Sequence, residues 1–158
     1  MAKKKAVHGH GTATHSLAKN YCFGCGPDNP EGLRLKFHFD EARHRVSCKF
    51  RLPQRYWGPP KHAHGGIVAA ILDEAMGKVN KTRQVIAVTA TMTVDYLKMV
   101  PLGHWLVVEG WEERVAGREH HNAAEIRNNA GEVLARSTAK FIAVDPERMF
   151  AKMWKAKP

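Results

Sequence analysis

A chain of 158 residues that is 44% hydrophobic is sized for one domain with a moderate core. No apolar run approaches the roughly 18–20 residues that span a bilayer, and the basic start Met1-Ala2-Lys3-Lys4-Lys5 has no apolar stretch behind it. Neither a membrane span nor a secretory leader is therefore expected, and the cytoplasm is the expected compartment. The net charge of +10 calls for an anionic partner, a nucleic acid or a phosphorylated cofactor. Six lysines near the two ends (Lys3, Lys4, Lys5, Lys152, Lys155 and Lys157) are explained equally well as solvated tails.

In chain order, residues 1–19 lack periodicity and read as a flexible basic arm. Turn formers crowd the stretch from Tyr21 to Gly32. It holds Cys22 and Cys25, a C-x-x-C without the second ligand pair of a structural zinc site. With Cys48, the three cysteines are too few for a disulfide scaffold. The pair reads as a tight turn over two small thiols, and no metal is expected. Leu33, Leu35, Phe37 and Phe39 then alternate with polar residues as a half-buried strand, and Val46, Cys48, Phe50 and Leu52 give a second.

From Gly65 to Val79 the period changes. Ile67, Val68, Ile71, Ala75 and Val79 share one helical face, and Gly66, Ala69, Ala70, Asp73, Met76 and Gly77 the other. Four strand-like runs follow: 89–96, Trp105 to Arg114, 120–126 and 133–143. Turn signals stand at Pro101-Leu102-Gly103, Gly117 and Asn129-Ala130-Gly131. Asp145-Pro146 starts a short amphipathic tail helix over 146–158. His120 and His121 read as surface strand residues. The sum is one domain over 20–145, of order β-β-α-β-β-β-β, in which a sheet must cover one apolar helix.

The chemistry concentrates at His64-Gly65-Gly66 and Asp73. A glycine-led helix start offers free backbone N–H groups at the positive end of a dipole. A carboxylate within an apolar helix is costly unless it is paired or used. Together they are the parts of an acyl-transfer site, a place for an oxyanion and a base. Glu74 becomes the base instead if the helix is rotated. Without a chemical role, Asp73 would be a carboxylate held by Lys78 or Arg83.

The element order, Cys22-Phe23-Gly24-Cys25-Gly26-Pro27-Asp28-Asn29-Pro30-Glu31-Gly32-Leu33, His64-Gly65-Gly66 with Asp73, and Thr89-Ala90-Thr91-Met92-Thr93-Val94-Asp95-Tyr96 together resemble the hotdog-fold acyl-CoA thioesterases. Within these, the chain is similar to the phenylacetyl-CoA thioesterase-like branch of the 4-hydroxybenzoyl-CoA thioesterase superfamily, from about Cys22 to Val144. The resemblance implies an α+β hotdog fold, an antiparallel sheet wrapped around one long central helix. It implies hydrolysis of an acyl- or aryl-CoA thioester, with coenzyme A carried by the substrate and no separate cofactor. Asp73 takes the place of the base or nucleophile, the Gly65 N–H that of the carbonyl polariser, and Thr89 that of the hydroxyl placing the water, while His64 holds the turn. The site forms between subunits of a homodimer or homotetramer. Trp57 stands where such proteins commonly carry Gln or Asn, and His62 is the candidate for the polar role it cannot fill. Gly66 and Met76 are expected to line the acyl slot, and Arg114 and Arg118 to meet the phosphates. Two further readings remain open, a non-catalytic acyl-CoA-binding protein and a basic nucleic-acid-binding protein. No nucleic-acid motif supports the latter.

Overall fold

The computed structural model describes residues 19–149. Nearly all of the basic arm expected over 1–19, and 150–158 of the tail helix, lie outside them. Six strands, β1 (His38–Asp40), β2 (Arg45–Arg51), β3 (Ala87–Tyr96), β4 (Trp105–Ala116), β5 (Glu119–Asn128) and β6 (Val133–Ala143), form one antiparallel sheet in the order β1-β2-β4-β5-β6-β3. One helix, α1 (Gly65–Val79), continues into a 3-10 turn over Asn80–Arg83. This is the α+β hotdog arrangement expected from the sequence. Among the described residues no helix is long and apolar enough to cross a membrane.

The first strand is shorter than its alternation suggests. Arg34 has φ 52°, outside the extended region, and the N–H groups of Leu33 and Leu35 donate to the Phe23 and Gly24 carbonyls. Backbone groups spent on the cysteine loop cannot join the sheet, so only His38–Asp40 pairs with β2. Leu35 is still buried and Phe37 packs on the core. Gly117 and Gly131 take positive φ at the turns after β4 and β5, as their sequence signals require.

The helix lays Val68, Ile71, Leu72, Ala75, Met76 and Val79 onto the sheet, against Phe50, Leu106, Val108, Ile126 and Phe141 among others. Each of these side chains larger than alanine contributes about 1.5–3 kcal/mol on burial. At the centre the two layers nearly touch: a Cβ on Gly110 of β4 would lie 3.0 Å from the Ala75 carbonyl oxygen. His120 is buried here, contrary to its reading as a surface residue, because its place in β5 faces the helix side. At the chain's end, Asp145 Oδ1 accepts from the N–H groups of Glu147 and Arg148, capping the helical turn at 146–149 as predicted.

Candidate active site

The helix begins where its backbone is best prepared for it. His64 is the N-cap, with extended φ −62° and ψ 137°. Its Nδ1 accepts from the Gly66 N–H at 3.0 Å, so the ring hydrogen sits on Nε2. The His64 carbonyl accepts from Ile67 and Val68. Those bonds leave the Gly65 N–H of the first turn with no acceptor among the described residues. Tyr96, at the end of β3, lies over Gly65 and donates its hydroxyl to the Gly65 carbonyl at 3.1 Å. A cleft of about 280 Å³ opens beside Gly65, walled by Val68, Tyr96, Leu97, Met99 and Val100.

Two turns along, Asp73 is half-buried on the outer stripe of the helix, and Thr89 Oγ1 donates to its Oδ1 at 2.8 Å. A register shift in β3 makes this contact. Thr89 pairs with Phe141 and Thr91 with Lys140, so Ala90 is an extra residue between them. Strict alternation would put Thr89 on the face opposite Met92. The bulge returns it to the helix side, where its pairing partner Phe141 is buried. The neighbouring acid is occupied elsewhere: Glu74 pairs with Lys78 at 2.8 Å and faces the cysteine turn. Arg83 pairs with Glu112. Neither cation proposed as a structural partner is therefore committed to Asp73.

Trp57 and His62 sit together in a groove of about 880 Å³ on the other side of the 57–63 loop. The Trp57 backbone N–H donates to the Gln54 carbonyl, and the residue is 47% exposed. His62 Nδ1 lies 2.7 Å from the Pro60 carbonyl, which can only accept, so Nδ1 carries the hydrogen and Nε2 is left as acceptor in the neutral ring. Arg51, Lys61 and His104 line the same groove, and no acid does among the described residues. Sequence reasoning missed these three because they come from separate loops and strand ends, with no shared period. The larger groove holds neither Asp73 nor Gly65, whereas the smaller cleft holds Gly65 without Asp73.

Gly66 is exposed at the helix start, while Met76, expected to line the slot, is fully buried against the sheet and belongs to the core. Arg114 lies against His121 Nε2 at 2.9 Å, and Arg118 donates twice to the Ala143 carbonyl. Within one chain both lie at the end of the sheet away from Gly65, since Ala143 pairs with Ala87 at the start of β3 and Tyr96 ends it.

Residues 60–135 match the family model of the thioesterase superfamily. The chain is 29% identical over 116 residues to acyl-coenzyme A thioesterase THEM4 of Xenopus laevis, covering 73% of this chain and 52% of that one. It thus spans about half the length of the curated relatives it matches. The crystal structure of a thioesterase superfamily protein superposes with a TM-score of 0.74 at 28% identity, over 78% of this chain and 60% of that one. PaaI of E. coli, from the phenylacetic acid degradation operon, gives 0.66 at 17% identity over 72% and 81%, a likeness of fold.

Proposed function

We propose that this hotdog-fold chain, related in sequence to thioesterase-superfamily proteins, hydrolyses acyl- or aryl-coenzyme A thioesters in the cytoplasm, at sites shared between two copies of itself. The observation that carries this reading is the Thr89–Asp73 hydrogen bond on an open stripe of the helix that also presents an unused Gly65 N–H. Eight positions along a helix is about 12 Å. One thioester carbon cannot meet Gly65 and Asp73 of the same chain, so each site draws one of them from a second copy.

The edge strand supplies the means. β3 is long and, among the described residues, unpaired on its outer side, and exposes Val88 and Tyr96 with Ile86, Leu97 and Met99 at its ends. Such an edge is a template for another strand. Antiparallel pairing of two β3 strands about a two-fold axis near Met92 and Thr93 sets Thr89 of one copy beside the partner's Tyr96. The partner's Gly65 then comes to face Asp73. The same operation carries Arg118, in the β4–β5 turn beside the Ala143 that pairs with the first residue of β3, toward the partner's Leu97–Met99 wall. Arg118 thereby keeps its place as a phosphate candidate, together with Arg114.

In this reading the Gly65 N–H polarises the thioester carbonyl at the positive end of the helix. Asp73 comes from the other copy, where that copy's own Thr89 holds Oδ1 and leaves Oδ2 to direct water onto the carbon or to attack it directly. The tetrahedral intermediate collapses with loss of the coenzyme A thiolate. The basic groove with Trp57 and His62 receives an anionic part of the substrate, and a phenylacetyl group is the first acyl portion to try.

A panel of acyl- and aryl-CoA substrates assayed by thiol release tests this. Wild-type turnover on at least one of them is expected, and Asp73→Asn should lose about 10²–10⁴-fold in kcat with folding unchanged. Tight binding without release of thiol would instead identify a non-catalytic acyl-CoA carrier. Unaltered turnover in Asp73→Asn would overturn the assignment.

A further inference from the structure

The cysteine turn and the helix meet in a cluster that thioester chemistry does not use. Cys22 Sγ, Cys25 Sγ and a Glu74 carboxylate oxygen all lie within 4.8 Å of one another. Lys78 Nζ is 2.8 Å from Glu74 Oε1 and 2.8 Å from Cys25 Sγ. Cys22 is exposed and Cys25 half-buried, while Cys48 is buried away in β2.

The packing is deliberate at two glycines. A Cβ on Gly24 would fall 2.3 Å from Glu74 Oε2, so the carboxylate lies directly on the turn. The Gly26 N–H donates to the Cys22 carbonyl at 2.8 Å, closing the turn around both cysteines. Turns of this kind hold α-carbons three positions apart within ~7 Å, the span a disulfide bridges. The cluster already has its cation: the Lys78 ammonium stands between thiol and carboxylate, where a metal ion would have to sit. Among the described residues, three metal-ligating side chains converge there, one short of a closed structural site.

We propose that Cys22 and Cys25 are a redox-modification site, closing to a reversible disulfide when a hydroperoxide reaches the exposed Cys22, with Lys78 positioning Cys25 for the second step. In the first step Cys22 sulfur attacks a peroxide oxygen. The S–O bond forms, the O–O bond breaks, and water leaves with the thiol proton, so Cys22 is oxidised to a sulfenic acid. In the second, Cys25 sulfur attacks Cys22 sulfur. The S–S bond forms, the S–O bond breaks, and the hydroxide leaves as water with the Cys25 proton. Two thiols and one hydrogen peroxide thus give one disulfide and two waters. Burial, and then Glu74, push the Cys25 thiol up to about 11, against the pull of Lys78. Cys25 is therefore the resolving thiol, and Lys78 sustains what thiolate it has.

The test treats the full chain, metal-free at neutral pH, with one equivalent of hydrogen peroxide, and reads intact mass, peptide maps and dimedone capture. The expected product has lost two hydrogens, links Cys22 to Cys25, leaves Cys48 free and is reversed by dithiothreitol. Lys78→Met should close several-fold more slowly, because the thiolate lost outweighs the nucleophilicity gained as the thiol pKa rises, and should accumulate dimedone-trapped Cys22. Lys78→Arg should restore closure, which a merely space-filling role would not predict. Cys22→Ser, folded by circular dichroism, should show no loss of hydrogen. Cys22 oxidised beyond sulfenic acid with Cys25 still free would overturn the proposal. So would an oxygen-bridged Cys25–Lys78 link, or a stoichiometric zinc ion that the reduced chain keeps against a weak chelator.

Discussion

At the scale of single residues, the proposed chemistry rests on one backbone hydrogen, and that hydrogen can be removed without disturbing the helix. Gly65 is the first helical position, where proline is well tolerated. The residue before it has the extended ψ that precedes proline comfortably, and a Cβ there would make only ordinary contact with Tyr96, at 3.5 Å. Gly65→Pro is therefore expected to keep its circular dichroism spectrum and melting behaviour. It should lose about 10²–10³-fold in turnover, the effect of deleting one oxyanion donor. An undiminished rate would place the oxyanion elsewhere. The residues themselves were unevenly legible. Asp73 and the glycine pair stood out because a carboxylate and a glycine-led start are odd in an apolar helix. Thr89 was legible only through the resemblance, because alternation alone turns it away and the bulge at Ala90 brings it back. Met76 was misplaced for the opposite reason: on a helix wheel it borders both stripes, and packing against the sheet decided the matter.

At the scale of elements, β3 is a catalytic part as much as a structural one, since its pairing completes the site in the proposed reading. Val88→Lys, a charge on that exposed edge, should shift sedimentation toward the monomer and abolish turnover while the chain stays folded. A sharper check mixes two inactive variants. Co-expressed Asp73→Asn and Gly65→Pro should regain about one quarter of wild-type activity. Random pairing makes half of the dimers mixed, and each of those has one of its two sites intact. No recovery would mean that each site lies within a single chain. Most elements could be read from period alone, because buried faces force apolar residues into the spacing of a helix or a strand. The exception, 33–37, keeps its strand-like alternation but spends the Leu33 and Leu35 N–H groups on the cysteine loop. Long-range backbone pairing of this sort leaves no periodic trace.

For the whole molecule, the buried β5 face sets a limit on acid tolerance. Burial pushes the His120 imidazole below its ordinary 6.5, with Arg83 adding to the effect and Glu112 opposing it. Its Nδ1 has no partner among the described residues. The folded chain therefore refuses a proton that the unfolded chain accepts. The resulting stability is fully present above about pH 6.5 and declines as pH falls toward the lower folded value. Melting temperature measured from neutral to mildly acidic pH should fall over that range, and His120→Gln should flatten the curve. An equally steep fall in the variant would assign the effect to other groups.

The near-contact of Gly110 with the Ala75 carbonyl gives the molecule an internal gauge. Asp73 rides on the same turn as Ala75, so the height at which that turn rests on the sheet also fixes how far a strand hydroxyl must reach to meet the acid. A position buried mid-sheet, touching neither group, thus calibrates the gap between them. The tolerance of the chemistry is written into the missing methyl of a residue that no reactant will ever meet.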